Sequence, residues 1–261
     1  MKIPDTVCFL DLETLPEDAT VGMKTAPGWE PTPLDELAVE PKRRSVPASY
    51  KKYETIRAWE AREDERMSAA LADAWLAAAA AQKDEQAEAW QAWSKGSLNA
   101  LKGRIACIAI AFGEGDVFVI ECAEDEARGL RGLDEYIRAT SPRAYVAHNG
   151  IGFDFPWLQL RAMKYGYFDL ARIFHQDKPW DGLLIDTKRL WPGASAHKGP
   201  SLNNVCAFLG IDHSEGNPIN GSEVLAAYVE GRWSEVVEHG RADVRDLREV
   251  YRALSRVRGD L

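Results

Sequence analysis

Val7–Pro16 reads VCFLDLETLP, an apolar strand with two carboxylates, Asp11 and Glu13, one residue apart near its end. Side chains two apart on a strand point to the same face, so these acids lie a few ångströms from each other and repel. A buried pair of this kind needs a cation. Magnesium or manganese meets that need, because hard divalent ions take carboxylate oxygens and keep positions open for water or phosphate. Taken alone, D-x-E also suits an ordinary strand end facing water. The reading therefore turns on what the rest of the chain aims at the same place.

Two further strands follow in "RIACIAIAFG" from Arg104 and "GDVFVIE" from Gly115, joined by a Gly-Glu-Gly-Asp turn. With the first strand they predict an antiparallel meander. The pattern then becomes helical through "DEARGLRGLDEYIRA", returns to a short apolar strand in "AYVAHN", and turns helical again in "FDFPWLQLRAMKYG". "LLIDTKRLW" reads as a fifth strand, "SLNNVCAFLGI" as a short helix and Trp233 to about Arg258 as a long terminal helix. The expected fold class is α/β, a mixed five-stranded sheet flanked by helices.

The first hairpin is interrupted. Residues 22–103 carry a proline-rich piece, "APGWEPTPLDELAVEPKRRSVPASY", and then a stretch from Tyr53 to Trp93 without proline or glycine. Ile56, Trp59, Met67, Leu71, Trp75, Trp90 and Trp93 recur there at helical intervals, which predicts one or two amphipathic helices. The expected organisation is a core of residues 1–21 and 104–261 with a largely helical insertion, 22–103, whose apolar stripe is expected to pack on the core, the alternative being a face for a protein partner.

Composition narrows the function classes. The chain has 261 residues, 46% hydrophobic and 28% charged, enough to build a core, which excludes a disordered or fibrous protein. Its net charge of -9 argues against broad coating of nucleic acid, though not against an enzyme that grips one strand end. Cys8, Cys107, Cys122 and Cys206 lack C-x-x-C spacing and read as reduced core thiols. No run of eighteen or more apolar residues occurs and the N-terminal stretch lacks secretory-signal features, so a cytoplasmic protein with no membrane association is expected.

Two other segments supply acids. In "AHNGIGFDFPWL", Asn149 closes a strand and Asp154 opens a helix among Phe153, Phe155 and Trp157, where an acid is costly without a partner. The bland reading of Asp154 is a first-turn acid favoured by the helix dipole. In "VVEHGRADVRDLREVYRAL", steps of three and four through Val236, Gly240, Leu247, Val250 and Leu254 trace the inward stripe of a helix. Asp243 falls on that stripe, Asp246 at its edge, and His239 projects one turn ahead on the same side.

Together "FLDLET", "AHNGIGFDFPWL" and "HGRADVRDLREVY" resemble the three motifs of the DEDD superfamily of 3'-5' exonucleases, which have a ribonuclease H-like fold. "GPSLNNVCAFLGI" and "EVLAAYVEGRWSEVVEHGRADV" look closest to the exonuclease domains of family B DNA polymerases and their stand-alone relatives. The resemblance covers the core and leaves the insertion uncovered. It implies Asp11, Glu13, Asp154 and Asp243 as catalytic ligands of two divalent cations, Mg2+ or Mn2+. His239 is the candidate water-orienting residue. Its spacing departs from the family, since three residues separate it from Asp243 as in the tyrosine subgroup, whereas the histidine subgroup has four.

The implied activity is hydrolysis of phosphodiester bonds at DNA 3' ends, single-stranded by preference. The alternatives are an RNA-directed or endonucleolytic nuclease of the same fold, or a catalytically silent binding module. Asn149 and Phe153 are candidate contacts to the terminal nucleotide. In the insertion, "PKRRSVPASYKK" gathers Lys42, Arg43, Arg44, Lys51 and Lys52 beside Tyr50 and Tyr53, a candidate nucleic-acid contact in an otherwise acidic chain.

Overall fold

The computed structural model describes residues 2–175, 183–191, 199–212 and 217–258. The chain divides into two compact units, Met1–Lys24 with Ser94–Leu261, and Thr25–Trp93. The first strand, β1 (Val7–Pro16), belongs to the larger unit. The smaller unit holds a helical turn, α1 (Leu34–Leu37), and most of a long helix, α2 (Tyr53–Ser94). The larger unit continues with β2 (Gly103–Phe112), β3 (Phe118–Glu121), α3 (Glu126–Thr140), β4 (Ala144–Ala147), α4 (Asp154–Lys164) and α5 (Phe168–Ile173). It ends with β5 (Leu184–Asp186), α6 (Thr187–Leu190), α7 (Leu202–Leu209), α8 (Val224–Val229) and α9 (Trp233–Arg258).

The five strands form one mixed sheet in the order β3-β2-β1-β4-β5. β1 pairs antiparallel with β2 and parallel with β4, and β4 pairs parallel with β5. The fifth strand is shorter than "LLIDTKRLW" suggests. Asp186 ends it, because its side chain accepts the Lys188 N–H and starts a helical turn instead.

Strand periodicity divides the core between the two sheet faces. Cys8, Leu10 and Leu12 join Leu130, Leu133, Phe155, Leu158 and Phe174 on the side of α3, α4 and α5. Val7 and Phe9 join Ala109, Val146, Val244, Leu247 and Tyr251 on the side of α9. All four cysteines are buried free thiols. Phe9 meets the Tyr251 ring edge-on at 5.4 Å, fixing the C-terminal half of α9 against the middle of the sheet.

Farther along the same helix, a β-carbon on Gly240 would lie 3.2 Å from the Ala109 β-carbon and 3.9 Å from Glu13 Cγ. The missing side chain lets α9 lie flush on β1 and β2 at the level of Glu13.

In the smaller unit, one continuous helix takes the place of the expected one or two. Thr32 is hydrogen-bonded to Gln82 and Glu85, while Lys42 and Arg44 meet Arg66 and Glu63. The proline-rich segment therefore runs antiparallel along α2. This explains why the buried residues of α2 are Glu63 and Ala78, with Leu71 and Trp75 exposed. A partner that approaches through backbone and ion pairs favours small or acidic side chains over large apolar ones.

Replacement of Gly240 by valine should lift α9 from Ala109 and destabilise the protein by about 1–3 kcal/mol, the usual cost of overpacking. Urea denaturation of the variant measures this; an unchanged midpoint would contradict flush packing.

Candidate active site at the strand ends

β1 outruns its parallel neighbour. β4 pairs with β1 only as far as Phe9↔Val146, so Asp11 and Glu13 lie beyond the β4 ladder, at the carboxyl ends of the parallel strands. By period two they share the face of Phe9, the face that α9 covers. Glu13 is buried, and Asp11 lies half-buried beside it. The two carboxyl groups are hydrogen-bonded to each other.

Where β4 has ended, the Leu12 N–H donates to Asp154 Oδ1 at 3.2 Å. A backbone donor in β1 is thus satisfied by the first residue of α4, which fixes Asp154 beside the paired acids although 142 residues separate the two positions. From the covering helix, His239 Nε2 lies 3.4 Å from Glu13 Oε1 and its Nδ1 lies 3.7 Å from Asp243 Oδ1. Asp243 completes the group. Asp246, the competing acid, is buried and acts on the Cys206 thiol of α7.

The charges in this group oppose one another. Desolvation pushes the Asp11 carboxyl well above the ordinary carboxylate range, and Glu13, Asp243 and Asp154 add to the rise. Glu13 is raised likewise, first by desolvation and then by Asp243 and Asp154. Asp154 is raised to about 7, again chiefly by desolvation, against the lowering effect of the backbone N–H groups of its own residue and of Leu12.

Among the described residues, no group of three or more His, Cys, Asp and Glu is drawn together tightly enough to form a ready metal cage. The donor set nevertheless fits a hard divalent cation: it is rich in carboxylate oxygens, desolvated, and its acids raise one another's proton affinity. A cation there would offset the negative charge that these acids bring together.

The second motif is held by a residue that its sequence did not single out. Asp186, buried at the end of β5, accepts the N–H groups of Asn149 at 2.9 Å and Ile151 at 3.2 Å. Asn149 adopts φ 67°, the left-handed region that asparagine tolerates better than most residues. Asp186 thereby shapes the turn from β4 into α4, on which Asp154 sits. The local role of Asp186 is to cap the turn that follows β5, whereas the two N–H groups of the second motif lie 37 and 35 residues away.

Phe153 is half-buried against the core, 5.7 Å from the Trp157 ring. Lys42, Arg43, Arg44, Lys51 and Lys52 belong to the smaller unit and are exposed. Arg43 pairs with Asp64 at 2.5 Å and Arg44 with Glu63 at 2.7 Å, so both tie the extended segment to α2.

The sequence of residues 98–261 matches a protein family described as a predicted 3'-5' exonuclease related to the exonuclease domain of PolB. The chain belongs to that family. The matched region includes Asn149, Asp154, His239 and Asp243 but begins after β1, so the fold is what joins Asp11 and Glu13 to it. Among solved structures, the chain is similar to the family B DNA polymerase of the hyperthermophilic archaeon Pyrobaculum calidifontis, with a TM-score of 0.52 and 22% identity. That likeness covers 61% of this chain and 23% of the polymerase, and it concerns the fold. No curated protein matches the chain.

Because Asp11, Glu13 and Asp154 are all raised on folding, the folded state holds more protons than the unfolded chain above the ordinary carboxylate values of about 4. Stability in EDTA should therefore fall as pH rises from about 4, with the Asp154 contribution lost as pH passes about 7. Urea titrations across that range should show the loss and saturating Mn2+ should flatten it; a pH-independent metal-free stability would contradict the clustering.

Proposed function

We propose that this member of the family is a metal-dependent 3'-5' exonuclease acting on DNA ends, single-stranded by preference, with Asp11, Glu13, Asp154 and Asp243 as ligands of two divalent cations. The observation that carries the reading is the convergence of acids from β1, α4 and α9 on one desolvated spot. Such convergence opposes folding unless positive charge joins it, and a phosphodiester at the same spot supplies further negative charge for that positive charge to neutralise.

When bound, Mg2+ or Mn2+ supplies electrostatic stabilisation of the phosphate and of the entering and leaving oxygens. The protein's own groups do the rest. The acids hold the charge arrangement from a strand, a helix start and the interior of α9, and Gly240 lets α9 pack closely on the sheet beside Glu13. His239 Nε2 faces Glu13, which supports assigning it to take a proton from water. Asn149 and the open part of Phe153, on the turn beside Asp154, are assigned to the terminal nucleotide.

The test is digestion of 5'-end-labelled linear single-stranded DNA, beside circular DNA and RNA, in Mg2+, Mn2+ or EDTA. Wild type should shorten linear DNA stepwise from its 3' end and leave circles intact. Asp11→Asn and Asp243→Asn should each lose roughly a hundredfold or more, as expected when several kcal/mol of charge stabilisation disappear. Cleavage of circles, preference for RNA, or full activity in EDTA would each overturn the reading.

A further inference from the structure

Asn217, just ahead of α8 in sequence, touches two members of the carboxylate group at once. Its side-chain Nδ2 donates to Asp243 Oδ1 at 3.1 Å, and its Oδ1 lies 2.9 Å from His239 Nδ1. The orientation of the amide fixes the role of the imidazole. The amide turns its NH2 toward Asp243 and its carbonyl toward the imidazole. A carbonyl only accepts, so His239 Nδ1 must carry the hydrogen. In the neutral ring Nε2 is then bare, and Nε2 is the nitrogen that faces Glu13.

We propose that Asn217 is a positioning residue that holds His239 in the Nδ1–H tautomer, with Nε2 aimed into the carboxylate group. The proposal rests on the exonuclease reading. In the hydrolysis that reading describes, an O–H bond of water breaks with its proton passing to Nε2, while the oxygen bonds to phosphorus. The P–O bond to the 3' oxygen of the shortened chain breaks, and that oxygen leaves with a proton from solvent. Without Asn217, Nδ1 has Asp243 as its alternative partner, one helical turn away and already at 3.7 Å. A ring turned toward Asp243 would carry Nε2 out of line. Gly221 supports the arrangement from the other side, since even a β-carbon there would lie 3.7 Å from Nε2. Backbone, and no bulky side chain, flanks that nitrogen.

Two measurements on the full chain decide the matter. Steady-state kinetics of Asn217→Leu on linear single-stranded DNA should show kcat reduced about tenfold or more with KM within about twofold. In a His239→Ala background the same substitution should add less than about twofold, because residues that act through one another are not additive. Asn217→Ser, too short to bridge both partners, serves if the leucine variant fails to fold. The second measurement is 15N spectroscopy of histidine-labelled, metal-free protein. Wild-type His239 should carry its proton on Nδ1, and the variant should lose that preference. Additive losses in the double variant, or a wild-type proton on Nε2, would overturn the proposal. A wild-type protein without exonuclease activity would sink the functional reading alone, while the spectrum would still judge the Asn217 assignment.

Discussion

Two acids on one face of a central strand repel each other, and the repulsion grows when a helix shuts out water. Asp11 and Glu13 are in that position beneath α9, with Asp154 and Asp243 adding charge of the same sign. Without cations the site must hold protons, which is why its acids are raised rather than lowered. The contrast within the molecule is instructive. Glu126, equally buried, meets Arg161 and Tyr165 and the Ile105 N–H, and forms a neutralised structural network. One buried acid is satisfied by the protein itself, whereas the acids on β1 are arranged to be satisfied by something that arrives.

The fold serves that arrangement by letting β1 run past β4. The projecting part of β1 leaves its Leu12 N–H to Asp154, and the absence of a side chain at Gly240 brings the covering helix down onto Glu13. Parallel strands ending at different heights make a recess at their carboxyl ends, a place where open α/β sheets commonly bind ligands. The insertion interrupts the hairpin after β1 without altering the register of β1 against β2 up to Glu13.

Much of this was legible from residue patterns. Period two placed Asp11 and Glu13 on one face, and the steps of three and four through the last helix pointed Asp243 inward and set both its ends. The site roles of Asp186 and Asn217 were not legible, because the site partners of each lie 22 to 37 residues distant. The apolar stripe on α2 is covered only in part: Ile56, Trp59, Met67, Trp90 and Trp93 are half-buried, and Leu71 and Trp75 are exposed. A pattern of large apolar residues predicts burial only when the covering element is apolar too, and here that element is an extended segment held by Arg43 and Arg44. In the sequence those two arginines read as a candidate nucleic-acid contact; Asp64 and Glu63, which pair with them, lie some twenty residues on.

The central claim is that the acids of β1, α4 and α9 form a divalent-cation site. Titration of metal-free protein with Mn2+, followed by electron paramagnetic resonance, tests it without reference to any substrate. The account predicts saturable binding of a pair of ions by wild type and its loss in Asp11→Asn/Glu13→Gln. Binding by that variant as tight as by wild type, or no binding by wild type, would contradict it.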